Sequence, residues 1–168
     1  MLYELETDER YEFWNGEKII ITPDSTDHEY VVVNVMTILN NYVRSNKLGK
    51  VFGSNTAAYL HADVTRKDFR LPDISYVSTD RLDIVQAKGI FGAPDLIVEI
   101  VSPGKKNAER DLVEKFQLYE QFGVREYWIV KPFVEKVELF YLTDNKYERV
   151  EQSHLFPSIE LAHEEIFE

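Results

Sequence analysis

Apolar and polar positions first alternate with a strand-like period in RYEFWNGEKIIIT (residues 10–22), where Asn15-Gly16 separates two β-favouring runs. That dipeptide tolerates the positive φ angles of a two-residue type I′ turn, so the stretch predicts a hairpin. The period then changes. Val31, Val32, Val35, Ile38, Leu39 and Tyr42 recur at helical spacing behind the capping candidates Asp24, Ser25, Thr26 and Asp27, and Gly49 is the expected stop. Short β-branched or aromatic runs predict strands around 50–53, 56–61 and 72–77, with 78–92 as a connection.

Asp95–Val101 reads as a central strand, broken by Ser102-Pro103-Gly104. A helical pattern resumes over 105–122 through Leu112, Val113, Phe116, Tyr119 and Phe122 and ends at Gly123, and Glu126–Val130 is a second apolar strand. Strand, helix and strand within about forty residues fit a right-handed crossover between parallel strands. Lys136–Leu142 and Tyr147–Gln152 flank Thr143-Asp144-Asn145-Lys146 as another hairpin, and 153–168 is an acidic tail without a clear pattern.

The chain has 168 residues, 44% of them hydrophobic, which suits one domain over 1–168. It has no cysteine, so thiolate zinc sites, disulfides and cysteine nucleophiles are excluded, in keeping with a cytoplasmic setting. Neither a signal peptide nor an apolar stretch of membrane-spanning length is evident, so no membrane role is expected. Thirty acidic residues against nineteen Lys and Arg give a net charge of −11, which opposes a strong general affinity for nucleic acid.

The chemistry centres on Glu99. An isolated carboxylate in a covered strand must become protonated, find a hydrogen-bonding cation or hold a metal. By alternation Asp95, Ile97, Glu99 and Val101 share one strand face, but Asp95 lies about 13 Å from Glu99 along the strand, too far for both to hold one ion. Asp73, at the start of another short strand in RLPDISYV, comes beside Glu99 if the two strands are neighbours. A magnesium ion between two such carboxylates would relieve their repulsion and activate water against a phosphodiester, with Lys115 adding positive charge from the following helix. The bland alternatives are a structural Glu99–Lys115 ion pair and an i, i+4 ladder of Asp111, Lys115 and Tyr119 on a solvated helix face.

The order Pro72-Asp73, Glu99-Ile100-Val101, helical Lys115 and then YEQFGVREYWIVK resembles the Uma-two family of restriction-endonuclease-like proteins, over nearly the whole chain. The resemblance implies a restriction-endonuclease-like α/β core: a central mixed β-sheet flanked by helices, with an N-terminal hairpin. It also implies the PD-(D/E)XK nuclease superfamily, with a divalent metal cofactor and cleavage of DNA; Mg²⁺ or Mn²⁺ and double-stranded DNA are the expected ion and substrate. At this net charge the domain would have to gather its basic groups on one face, or pair with a basic partner or a second copy as a homodimer, to approach DNA. By position Asp73 and Glu99 match the two acidic residues of that motif. Val101 stands in the lysine slot, which Lys115 would fill from the helix. Asp95 is a candidate for a second ion or for a structural role at the strand entrance. Glu29 matches an acid that some superfamily members carry on the first helix, though helix-dipole complementarity also accounts for it.

Ser102-Pro103-Gly104-Lys105-Lys106 lacks the first glycine and the Ser/Thr of a phosphate loop, so nucleotide hydrolysis is not expected. Lys105, Lys106 and Arg110 are candidates for holding a DNA phosphate, and Arg66, Lys67 and Arg70 form the other local basic cluster. The four histidines follow no HExxH pattern, and a Gly-x-Ser-x-Gly elbow is absent. Two functions compete: a metal-dependent DNA endonuclease, and a catalytically degenerate nuclease-like module used for binding or assembly.

Overall fold

The computed structural model of the protein describes residues 9–63, 65–104 and 108–168. Strands β1 (Tyr11–Trp14) and β2 (Glu17–Ile20) form the expected hairpin around Asn15 and Gly16, both at positive φ. Helix α1 (Thr26–Ser45) starts at Ser25, whose hydroxyl accepts a hydrogen bond from the His28 N–H. Its buried stripe is His28, Val31, Val32, Val35, Leu39 and Val43.

Gly49 is not the stop of α1, which ends at Ser45. It opens β3 (Gly49–Gly53) with φ at +153°, and a Cβ there would stand 2.1 Å from the Val77 carbonyl oxygen. Only glycine permits this backbone to approach that of the next strand so closely. Strand β4 (Ala58–Tyr59) is shorter than expected, and β5 (Ile74–Ser78) pairs with β3.

The segment 78–92 is more ordered than a connection. A 3₁₀ turn over Thr79–Ile84 leads to β6 (Val85–Gln86) and β7 (Gly89–Phe91), which join β4 in a small second sheet. These strands are too short for a periodic signal to mark them.

Strand β8 (Leu96–Ile100), helix α2 (Ala108–Gln121) and β9 (Glu126–Lys131) make the predicted crossover unit, with β8 and β9 parallel. Strands β10 (Lys136–Thr143) and β11 (Lys146–Val150) turn through Asp144 and Asn145, both at positive φ. The main sheet is mixed, in the order β11-β10-β9-β8-β5-β3, and every pair except β8/β9 is antiparallel.

A helix covers each face. The α1 valines and Leu39 pack on Ile74, Val98, Ile100, Trp128 and Val130. Leu118 and Tyr119 of α2 pack on Ile97, Tyr127 and Ile129 on the other side. The alternation along β8 thus sends Ile97 and Glu99 toward α2 and Val98 and Ile100 toward α1.

The acidic tail is ordered too. Phe156, Ile159 and Ile166, the last in α3 (His163–Phe167), complete the α1-side core. The fully buried Glu126 carboxylate anchors the tail by accepting from the Trp128 indole and from the His154 and Leu155 N–H groups, at 2.7, 3.1 and 3.0 Å. No helix among the described residues is long and apolar enough to cross a membrane.

Replacing Gly49 by Ala should cost about 2–4 kcal/mol, from backbone strain plus displacement of the Val77 backbone. Urea unfolding measures it, and a loss below about 1 kcal/mol would contradict the close approach.

Candidate active site

The sheet positions its acids at the end of β8. The last β5/β8 pair is Ile74 opposite Val98, and the same register continued by one residue sets Asp73 opposite Glu99. Beyond that point β5 supplies no backbone partner, and the Asp73 carboxylate replaces one: its Oδ2 accepts the Ile100 N–H at 2.7 Å. Glu99 is held from the α2 side. Tyr119 donates its hydroxyl to Oε1 at 2.7 Å, and the Lys115 ammonium lies 3.2 Å from Oε2.

Asp73, Glu99 and Lys115 line a cleft of about 550 Å³ between the β1–β2 hairpin and the start of α2, and Tyr119 is buried behind them. The structure therefore brings Asp73, Glu99 and Lys115 together. Lys115 also pairs with Asp111 at 3.3 Å, but the predicted solvated ladder turns inward, because Lys115 is only 13% exposed and Tyr119 is buried. Val101 also lines the cleft, from the slot that Lys115 would have to supply.

Two cleft residues, Glu12 and His28, and the buried Tyr119 behind them are not among the sequence candidates for chemistry. Glu12, from β1, is buried and accepts from the Leu71 N–H at 2.8 Å and from Arg70 at 3.0 Å. His28 places Nε2 2.9 Å from the Ile100 carbonyl oxygen and 3.5 Å from Asp73 Oδ2. Tyr119 was visible only as a member of the helix ladder. His28 does carry a signal in the sequence, since it falls on the apolar stripe of α1 three residues before Val31. Glu12 carries little, because acids are ordinary in a hairpin.

Asp95 does not join the cleft. It is fully buried at the other end of β8, where it accepts from the Ser78 N–H at 2.8 Å and from Arg81 at 2.9 Å, with Arg125 at 3.5 Å. Its partners are those of the strand-entrance alternative, and it lies outside the cleft that holds Asp73 and Glu99.

Glu29 is exposed and approaches His28 Nδ1 at 3.3 Å, and a ligand atom from each of Asp24, His28 and Glu29 falls within one 4.8 Å group. Arg110 lines the cleft but pairs with Glu114 at 3.0 Å. Lys105 and Lys106 lie outside the described residues. Arg70 does not contribute to a basic surface cluster, because it is buried against Glu12.

Crowded acids set the electrostatics. Burial pushes Glu99 up to about 7; Lys115 opposes the rise, while the charges of Asp73 and Glu12 add to it. Burial also works against the charge on Lys115, but Glu99, Glu12, Asp111 and Asp73 outweigh it and raise its pKa well above the ordinary value. Burial disfavours ionised Glu12 as well, yet Lys115, Arg70 and the Leu71 N–H hold its carboxyl below the usual range. Lys115 thus stays an ammonium, and Glu99 is the group whose ionisation is incomplete near neutrality.

The layered fold, a mixed sheet between two helices with an N-terminal hairpin, recurs in a solved structure. A crystal structure of a putative nuclease from Anabaena variabilis superposes with a TM-score of 0.74, covering 96% of this chain and 92% of that one at 18% identity. Residues 1–167 match the Uma2 family, described as putative restriction endonuclease, and the chain belongs to that family. No curated protein matches the chain.

The raised Glu99 pKa has a signed consequence for stability. In the metal-free protein the fold retains a proton that the unfolded chain, with an ordinary value of 4.5, releases as pH rises. Stability from this group is therefore full below about 4.5 and is lost up to about 7, at no more than ~1.4 kcal/mol per pH unit. Thermal melts in chelator should show a downward slope across this window that Glu99→Gln flattens; equal slopes would refute it.

Proposed function

We propose that the protein is a metal-dependent endonuclease that hydrolyses phosphodiester bonds in DNA. The observation that carries this reading is the convergence in one cleft of Asp73, the residue before β5, Glu99 of β8 and Lys115 of α2. The donor set fits a hard divalent cation such as Mg²⁺ or Mn²⁺: it is all oxygen, drawn from carboxylates on neighbouring strand positions. The hindered ionisation of Glu99 fits as well, because a cluster deficient in positive charge gains most from a cation. Asp73 and Glu99 would hold the ion, whose chemistry would be Lewis-acid activation of the phosphoryl group and of water.

The protein's own groups have distinct tasks. Tyr119 and Lys115 each bond one Glu99 oxygen and so fix the plane of that carboxylate. The backbone N–H of Ile100 does the same for Asp73. The Lys115 charge, held by its acidic neighbours, stands ready to offset negative charge that builds on a phosphate in the transition state. Arg110 at the cleft edge is a candidate contact for a DNA phosphate once it leaves Glu114.

Val101 in the lysine slot and the net charge of −11 favour a second reading, a nuclease-like module that binds without cutting.

Plasmid nicking separates them. Wild-type protein should nick with added Mg²⁺ or Mn²⁺ and lose activity in chelator. Asp73→Asn and Glu99→Gln should abolish nicking, and Lys115→Ala should lower its rate by about 10²–10³-fold, the scale of removing one transition-state donor. Rates unchanged by these substitutions, or no nicking with either metal, would remove the enzymatic reading.

A further inference from the structure

His28 meets Asp73 from the α1 side of the sheet, at the one place where β8 outruns its neighbour. The Ile100 N–H is taken by Asp73 Oδ2 and the Ile100 carbonyl by His28 Nε2, so two side chains replace the missing backbone partner. Both atoms near Nε2, the Ile100 carbonyl oxygen at 2.9 Å and Asp73 Oδ2 at 3.5 Å, are acceptors, so Nε2 carries the hydrogen. The ring is buried and sits one turn into a capped helix, which fixes its backbone.

We propose that His28 is a positioning residue: it locks the Asp73 carboxylate and the end of β8 into one hydrogen-bonded unit and thereby presets the acid for its cation. The assignment of a cation to Asp73 rests on the function proposed above; the positioning itself does not. His28 acts here as a donor and not as a metal ligand. Its Nε2 is committed to Ile100, and its Nδ1 faces the Glu29 carboxylate at 3.3 Å. The closeness of Glu29 to His28 follows from this bonding.

Two measurements on His28→Ala and His28→Gln test the proposal, because a glutamine amide can replace the Nε2–H donor but is a poor substitute for an imidazole ligand. Amide hydrogen exchange at Ile100, measured without metal, should quicken at least about 10-fold in the alanine variant and stay within about 3-fold of wild type in the glutamine variant. Calorimetric Mn²⁺ affinity should follow the same order, falling about 10–100-fold for alanine, the usual effect of losing a group that orients a ligand.

If alanine prevents folding, His28→Asn, whose amide is too short to reach Ile100, takes its place. Unchanged Ile100 exchange in the truncated variant overturns the proposal. So does a glutamine variant as defective as alanine, the order expected of a ligand. A wild-type protein that binds no Mn²⁺ removes the metal reading instead, and the exchange comparison still decides the role of His28.

Discussion

A carboxylate in the middle of a covered strand loses its hydration, and the surroundings of Glu99 follow from that constraint. Its two oxygens are met by Tyr119 and Lys115, which lie one turn apart on α2. For both to reach Glu99, α2 must lie across this face of β8, and the crossover between the parallel strands β8 and β9 puts it there. The apolar contacts of Leu118 and Tyr119 and the polar contacts of Lys115 and Tyr119 thus specify the same docking. The compensation is incomplete, since Glu99 remains harder to ionise than an ordinary glutamate.

The cleft exists because the sheet is uneven. β5 begins at Ile74, one residue short of a pairing opposite Glu99, so the end of β8 is left to side chains: Asp73 from one side, His28 from α1 and Lys115 from α2. The hairpin adds Glu12, kept ionised beside the Lys115 ammonium and anchored by Arg70. Residues far apart in sequence meet because a backbone ladder stops and its unpaired groups still need partners.

Much of this was legible beforehand. The Asn15-Gly16 hairpin, the valine stripe of α1 and the β8–α2–β9 unit each carry a strong local pattern, and Glu99 in an apolar run marks the cleft. Asp73 was reachable because the strand RLPDISYV was short and began with an acid. Other features depend on tertiary contacts that leave no periodic trace. Glu126 looks like any strand-end glutamate until the tail folds back to use its oxygens, and β6 and β7 are too short to show alternation. Asp95 shares the face of Glu99 by alternation, but at the far end of β8 it is held by Arg81 and Arg125, cations that sequence spacing does not connect to it.

The acidic surface restricts how a polyanion can approach, so under the proposed function the cation would have to supply much of the attraction that the protein's own charge withholds. The most direct test is an anomalous-scattering map of crystals soaked in Mn²⁺. The account predicts a peak between the carboxylates of Asp73 and Glu99. A map with no peak there, or with density only beside Asp24 and Glu29, would contradict it.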